Sequence, residues 1–332
     1  MEREAAARRE SQRVRLLWVA VLAMCSGLVI GRTATGSPLP DATGPYEVDA
    51  FQVELHDEAS ERSLEILVLS PLTAEGPLQS RPLVVFSHGF LLAPARYRSY
   101  GDQLASHGFV VALPALPMSL LGTAHARLAD DVRLVVDEMI RSTEDPEHRL
   151  FGRIDPTRIG LAGHSLGGKV SLLEAVEDKR IRAVGVLDPV DSGSPLVDDP
   201  ERYPSVAPEL MPEIAVPVLF VGAELGSVLV AFTPCAPEDE NYQRFYEAAN
   251  PPAIEITQLG VGHSQYVDGT DQDSYDPCAR GDVPSTWVRE SSARYLTAFF
   301  LHTLSDSQAA MEWLDERLEQ DEADGRITVR RK

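Results

Sequence analysis

The chain is short of cysteine, of basic residues and of any apolar stretch long enough to cross a bilayer. Three cysteines in 332 residues are too few to frame a disulfide scaffold. The 30 Lys and Arg face 51 Asp and Glu, a formal charge of −21. Phosphate backbones select basic surfaces, so this balance argues against a nucleic-acid partner. The acidity reads most simply as solubility. The 23 glycines and 24 prolines are an ordinary share and exclude collagen-like and low-complexity classes. No internal repeat is visible. The apolar run Leu16–Ile30 has 15 residues, where a membrane-spanning helix takes about 20. What is present is a chain 44% hydrophobic, long enough to bury a sizeable core.

Arg3, Arg8, Arg9, Arg13 and Arg15 precede the apolar run, and the small residues Ala34, Thr35 and Gly36 follow it. That order is the order of a secretory signal peptide, so residues 1–36 are expected to direct export, to the medium or a periplasm. The competing reading is an uncleaved N-terminal anchor, with membrane contact confined to residues 16–30. Residues 37–332 alone carry 24 basic and 48 acidic side chains, net −24, and keep Cys235 and Cys278. In an oxidising compartment these two are expected to pair.

Residues 37–45 form a polar, Pro- and Gly-containing linker. Glu47–His56 and Ser63–Ser70 alternate apolar and polar residues, the pattern of an antiparallel strand pair. Short apolar runs follow at Pro82–Phe86, Phe109–Leu113, Arg158–Ala162, Ala183–Leu187, Val216–Val221 and Ile254–Leu259. Helical patterns separate them at Tyr97–Ser106, Ala126–Ser142, Leu166–Val176 and Asn241–Ala249, with a last one at Ser285–Thr303. Near-continuous apolar strands alternating with helices predict an α/β domain over residues 46–304, its mostly parallel sheet covered on both faces. Residues 305–332 are expected to be a solvated helix and a charged tail.

The chemistry gathers at strand ends. Gly163-His164-Ser165-Leu166-Gly167 fits G-x-S-x-G between a strand and a helix, the context that lifts a serine hydroxyl to the sheet edge. Ser165 is the expected nucleophile. In this strand order the base comes last, and His263 lies in the loop Gly260-Val261-Gly262-His263-Ser264. His302 falls inside an apolar helix and reads as packing. Three carboxylates compete to orient the imidazole: Asp188 first, then Asp191, then Glu224 in the turn after Val216–Val221. Oxyanion donors are expected from the backbone N–H groups of Leu166 and Phe90, with His88 structural. Leu91, Leu92, Met118 and Leu120 are apolar and follow strand ends, so they are candidates to meet a substrate. Asp268, Asp271, Asp273 and Asp276 do not match a calcium loop and read as solvated. No metal or cofactor is expected.

Together these pieces resemble the α/β-hydrolase superfamily over about residues 46–304, and within it chlorophyllase-like and polyester-hydrolase (cutinase)-like enzymes. Val84-Val85-Phe86-Ser87-His88-Gly89-Phe90 looks like their oxyanion segment. Gly163-His164-Ser165-Leu166-Gly167-Gly168-Lys169 is similar to the chlorophyllase elbow, where Arg is usual at the place of Leu166. Leu187-Asp188-Pro189-Val190-Asp191 resembles the chlorophyllase acid segment and that of pancreatic-type lipases. Cys235-Ala236-Pro237, Asn241, Phe245-Tyr246 and Gly262-His263 continue the likeness in order. The resemblance favours Asp188 over Glu224, because polyester hydrolases carry the acid after the later strand, near which Gly226 stands here. It implies a serine hydrolase that cleaves a small-molecule or lipid-like ester through an acyl-enzyme. The contrasting expectation is an inert copy of the fold acting as an exported binding protein, whose mark would be a missing triad member.

Overall fold

Each apolar run becomes a strand whose alternate residues face opposite layers of helix, and this explains why so few polar residues interrupt them. A computed structural model describes residues 39–57, 62–72, 79–119, 123–193, 197–230, 233–273 and 276–332. The expected leader and Leu120 lie outside these described residues.

The strands are β1 (Val48–Asp57), β2 (Arg62–Pro71), β3 (Arg81–Ser87), β4 (Val110–Pro114), β5 (Ile154–His164), β6 (Ile181–Leu187), β7 (Val218–Ala223), β8 (Ala253–Gln258) and β9 (Ile327–Arg331). They form one sheet in the order β1-β2-β4-β3-β5-β6-β7-β8-β9. β1 and β2 pair antiparallel, as their alternation predicts, and β2 joins β4 antiparallel. From β4 through β8 every pairing is parallel.

The α-helices are α1 (Arg98–Ser106), α2 (His125–Glu144), α3 (Leu166–Glu177), α4 (Tyr242–Ala248), α5 (Ser285–Ser305) and α6 (Gln308–Ala323). Leu83 and Val85 of β3 point to a core shared with Val132 and Met139 of α2, Val170 of α3 and Phe245 of α4. Val84 and Phe86 point the other way, to Tyr100 of α1, Phe300 of α5 and Leu314 of α6. Both faces are therefore dry, as a parallel sheet requires.

The C-terminal segment departs from expectation. α6 buries Ala310, Leu314 and Leu318, a stripe of i, i+4, i+8 residues. The expected charged tail instead contains β9, antiparallel to β8, with Ile327 buried. Arg330 of β9 is ion-paired with Glu247 and Glu255, so its charge is held on the sheet. No helix among the described residues is long and apolar enough to cross a membrane.

Candidate active site

Parallel strands deliver their C-terminal ends to one edge, and three of those ends supply the candidate triad. β5 runs straight into the nucleophile turn. Ser165 has φ 55° and ψ −125°, and α3 starts at the next residue. The turn is held by Ser165 N–H donating to Leu187 O of β6 at 3.0 Å. Gly167 has no room for a side chain: a Cβ there would stand 2.2 Å from Ser87 O. Four non-glycine residues among those described have positive φ: Leu91, Ser165, Asp188 and Asp306. Asp306 ends α5, Leu91 lies in the loop after β3, and Ser165 and Asp188 directly follow β5 and β6. Such conformations cost about 1–3 kcal/mol each and persist where the surroundings impose them.

Asp188 is fully buried, its N–H bonded to Val221 O of β7 at 2.7 Å. One carboxylate oxygen accepts from Ala223 N–H at 3.0 Å. The other accepts from His263 Nδ1 at 2.6 Å, and His263 Nε2 lies 2.9 Å from Ser165 Oγ. With the acid on Nδ1, the proton of the neutral ring sits there and Nε2 is left to accept from the serine. The three side chains thus form one directed chain across β5, β6 and the loop after β8.

The competing carboxylates are engaged elsewhere. Asp191 is bonded to Lys169 Nζ at 3.2 Å, Ser205 Oγ at 2.7 Å and the N–H groups of Val206 and Ala207 at 3.0 Å. Glu224 is exposed and accepts from Gly260 N–H at 2.7 Å. Gly226 packs beside the acid, where a Cβ would be 3.0 Å from Asp188 Oδ2. The two places from which an acid might come, after β6 and after β7, therefore converge on one spot.

Leu166 opens α3, at the end where helix N–H groups lack partners within the helix. The Phe90 loop is its neighbour because β3 pairs with β5 and Ser87 lies opposite Gly163. His88 is buried, accepts from Leu116 N–H at 3.0 Å and donates Nδ1–H to Gly89 O at 2.9 Å. Burial holds its pKa below the usual range, consistent with a neutral fastening residue. Phe90 and Leu91 are exposed, Phe90 by 44%. Leu92 and Met118 pack against the two cores instead. A further exposed apolar run, Val228-Leu229-Val230, starts two residues after Gly226, with Leu229 exposed by 61%. Its apolar letters are visible in the sequence, but no motif or periodicity marks them as exposed.

Cys235 and Cys278 form a disulfide that closes 43 residues, worth about 4 kcal/mol by restriction of the unfolded chain. It joins the acid side to the base side. Ala236 N–H donates to Gly226 O at 2.9 Å, and the Ala279 carbonyl lies against Gly262, next to His263. The acidic loop is not simply solvated. Asp273 pairs with Arg96, Asp271 with Arg280, and Asp268 accepts from Ser99 N–H and Oγ at 2.9 and 2.7 Å. Among the described residues no cluster could hold a metal ion.

A sequence model of the family described as chlorophyllase matches residues 41–321. Chlorophyllase-2 of Arabidopsis thaliana is 26% identical over 233 residues, covering 66% of this chain and 71% of its own length. Chlorophyllase-1, chloroplastic, of Citrus sinensis is 25% identical over 233 residues, covering 69% and 68%. The solved ferulic acid esterase from Streptomyces cinnamoneus superposes with a TM-score of 0.59 at 22% identity. It covers 82% of this chain and 93% of that one, a likeness of α/β-hydrolase fold.

Proposed function

The chain belongs to the chlorophyllase family and is a carboxylic ester hydrolase, and from that premise we propose that Ser165, His263 and Asp188 are its catalytic triad. The observation that carries this reading is the unbroken hydrogen-bonded path from Ser165 Oγ through His263 to Asp188, at 2.9 and 2.6 Å. His263 Nε2 takes the hydroxyl proton as Ser165 attacks the ester carbonyl. Asp188, buried and anchored by Ala223 N–H, stabilises the imidazolium that results. Negative charge on the tetrahedral oxygen rests on the N–H groups of Leu166 and Phe90. His263 then gives its proton to the leaving alcohol, and water repeats the sequence to release the acid. An inert binding protein would lack one of these groups, and all three are present.

The substrate is an ester with an apolar acyl or alcohol part; the relatives named chlorophyllase support ester hydrolysis. Exposed Phe90 and Leu91 beside the oxyanion donors support this. A cavity of about 650 Å³ lined by Tyr242, Arg244, Glu255 and Arg330 is polar and contains no triad residue. Export is the proposed location, supported by the order of the leader and by the disulfide, which persists in oxidising compartments. Hydrolysis of p-nitrophenyl esters of graded acyl length by the chain and its Ser165→Ala variant tests the reading. Turnover confined to the parent is expected, with fluorophosphonate labelling of Ser165. A folded parent with neither turnover nor labelling would return the binding-protein reading.

A further inference from the structure

The base and the oxyanion donor come from strands that are not neighbours. Between β3, which carries the Phe90 loop, and β8, which precedes His263, stand β5, β6 and β7. Four strand spacings are about 19 Å, so sheet pairing alone does not fix one loop against the other.

His164, the residue before the nucleophile, spans this gap. It is buried, with its ring against those of Tyr97, His263 and Tyr266 at 5.7, 4.6 and 5.6 Å between centroids. Its Nε2 is 3.0 Å from the backbone oxygen of His263, which can only accept, so Nε2 carries the proton. Nδ1 then accepts, and its partner at 2.7 Å is the hydroxyl of Tyr97. The Tyr97 oxygen in turn accepts from Gly89 N–H at 3.1 Å. Every proton is thereby assigned: Gly89 N–H to Tyr97, Tyr97 O–H to His164, His164 N–H to His263. The crossing is tight, since a Cβ on Gly89 would stand 2.9 Å from Tyr97 Oη and 3.1 Å from His164 Nδ1. Burial and the neighbouring His263 hold the His164 pKa well below the usual range, which keeps the ring neutral, while its two partners set the tautomer.

We propose that His164 is a positioning residue which, through Tyr97, clamps the loop of the base to the loop of the oxyanion donor across the nucleophile turn. The inference rests on the triad reading above. The clamp bears no proton of the reaction; it sets the distance between two groups that act together on the tetrahedral oxygen and the leaving group. Because both act in the transition state, loosening it lowers kcat and leaves KM near its parent value.

The test is a cycle of Tyr97→Phe, His164→Phe and the double variant on p-nitrophenyl butyrate, with His164→Gln as rescue and Tm recorded for each. Each single change is expected to lower kcat about 10- to 100-fold with KM within about threefold, the scale of a misplaced reacting group. The double variant is expected to be no worse than the poorer single, since both cut one path. His164→Gln, whose amide can donate to His263 O, regains part of the loss. Losses that multiply, a kcat within twofold of the parent, or losses that follow Tm alone would overturn the proposal. Tyr97→Phe removes one oxygen while Tyr100 Oη to Tyr266 O, at 2.9 Å, still ties α1 to the base loop, so this variant folds even if His164→Phe does not. A long-range proton–nitrogen NMR spectrum of the whole chain should show His164 protonated on Nε2 alone; protonation on Nδ1 overturns the clamp without touching the triad. Undiminished turnover by Ser165→Ala would instead sink the triad reading, and the spectrum keeps the two failures apart.

Discussion

Asp188 and Asp191 stand three residues apart after β6, both buried, yet they hold different kinds of partner. Asp188 faces an imidazole whose charge, in the proposed mechanism, appears and disappears during turnover. Asp191 faces Lys169, a cation enclosed with it and also bonded to Ser192 O at 2.9 Å. Burial holds the Lys169 pKa below its ordinary value, and Asp191 opposes that shift. On the proposed triad the first carboxylate stabilises a transient charge, while the second neutralises a standing one and pins residues 205–207. Chemistry and anchorage are thus separated within one short segment, and the two should fail in different assays.

The largest expected effect breaks the Asp188 half. Asp188→Asn keeps the shape but favours the wrong imidazole tautomer, and kcat should fall about 10⁴-fold with Tm within a few degrees. Asp191→Asn should do the reverse. Urea unfolding should show a loss of about 3–5 kcal/mol because Lys169 is left buried without its counter-charge, while kcat per folded molecule changes little. Equal losses of activity in the two variants would erase the distinction.

A smaller effect sharpens the comparison on α3, which carries both Lys169 and Glu174. Burial raises the Glu174 carboxyl to about 7, outweighing the pull of Arg133. Its pKa is higher folded than unfolded, so its contribution to stability is full below about 4.5 and is lost as pH rises through about 7. Urea midpoints should therefore fall between pH 5 and 8, and Glu174→Gln should flatten that fall. The flattening is partial, because burial also raises Asp131, to about 6, and adds the same slope. The smallest change is Glu224→Gln. That side chain is exposed, bonds a loop N–H and does not touch His263. Activity within twofold of the parent is expected by steady-state assay.

The sheet and the serine turn between β5 and α3 are legible in the chain because both are local patterns: apolar runs of strand length, and a glycine-flanked serine between strand and helix. Chain order and the glycine-flanked loop point to His263, since His302 falls inside an apolar helix. For the acid, the residues rank Asp188 above Asp191 and Glu224 without excluding either, since the Ala223 N–H and the space left by Gly226 that support Asp188 are set by a neighbouring strand. β9 was illegible for a similar reason. Ile-Thr-Val-Arg-Arg looks like a tail until Glu247 and Glu255 are known to face it. α6 differs, since Ala310, Leu314 and Leu318 already marked a face to bury. His164 occupies a free position of its motif, and its partners lie 67 and 99 residues away.

The crowding around Gly167 also limits how this enzyme can be remade. With a neighbouring carbonyl 2.2 Å from where any side chain would begin, that position admits one letter of the alphabet. On the proposed reading, new substrate preferences are better sought by varying Phe90 and Val228 to Val230, whose side chains are exposed, than at Leu91, whose positive φ restricts it. A variant library that spares the turn and randomises those loops should be rich in folded members. One that randomises the turn should be almost empty.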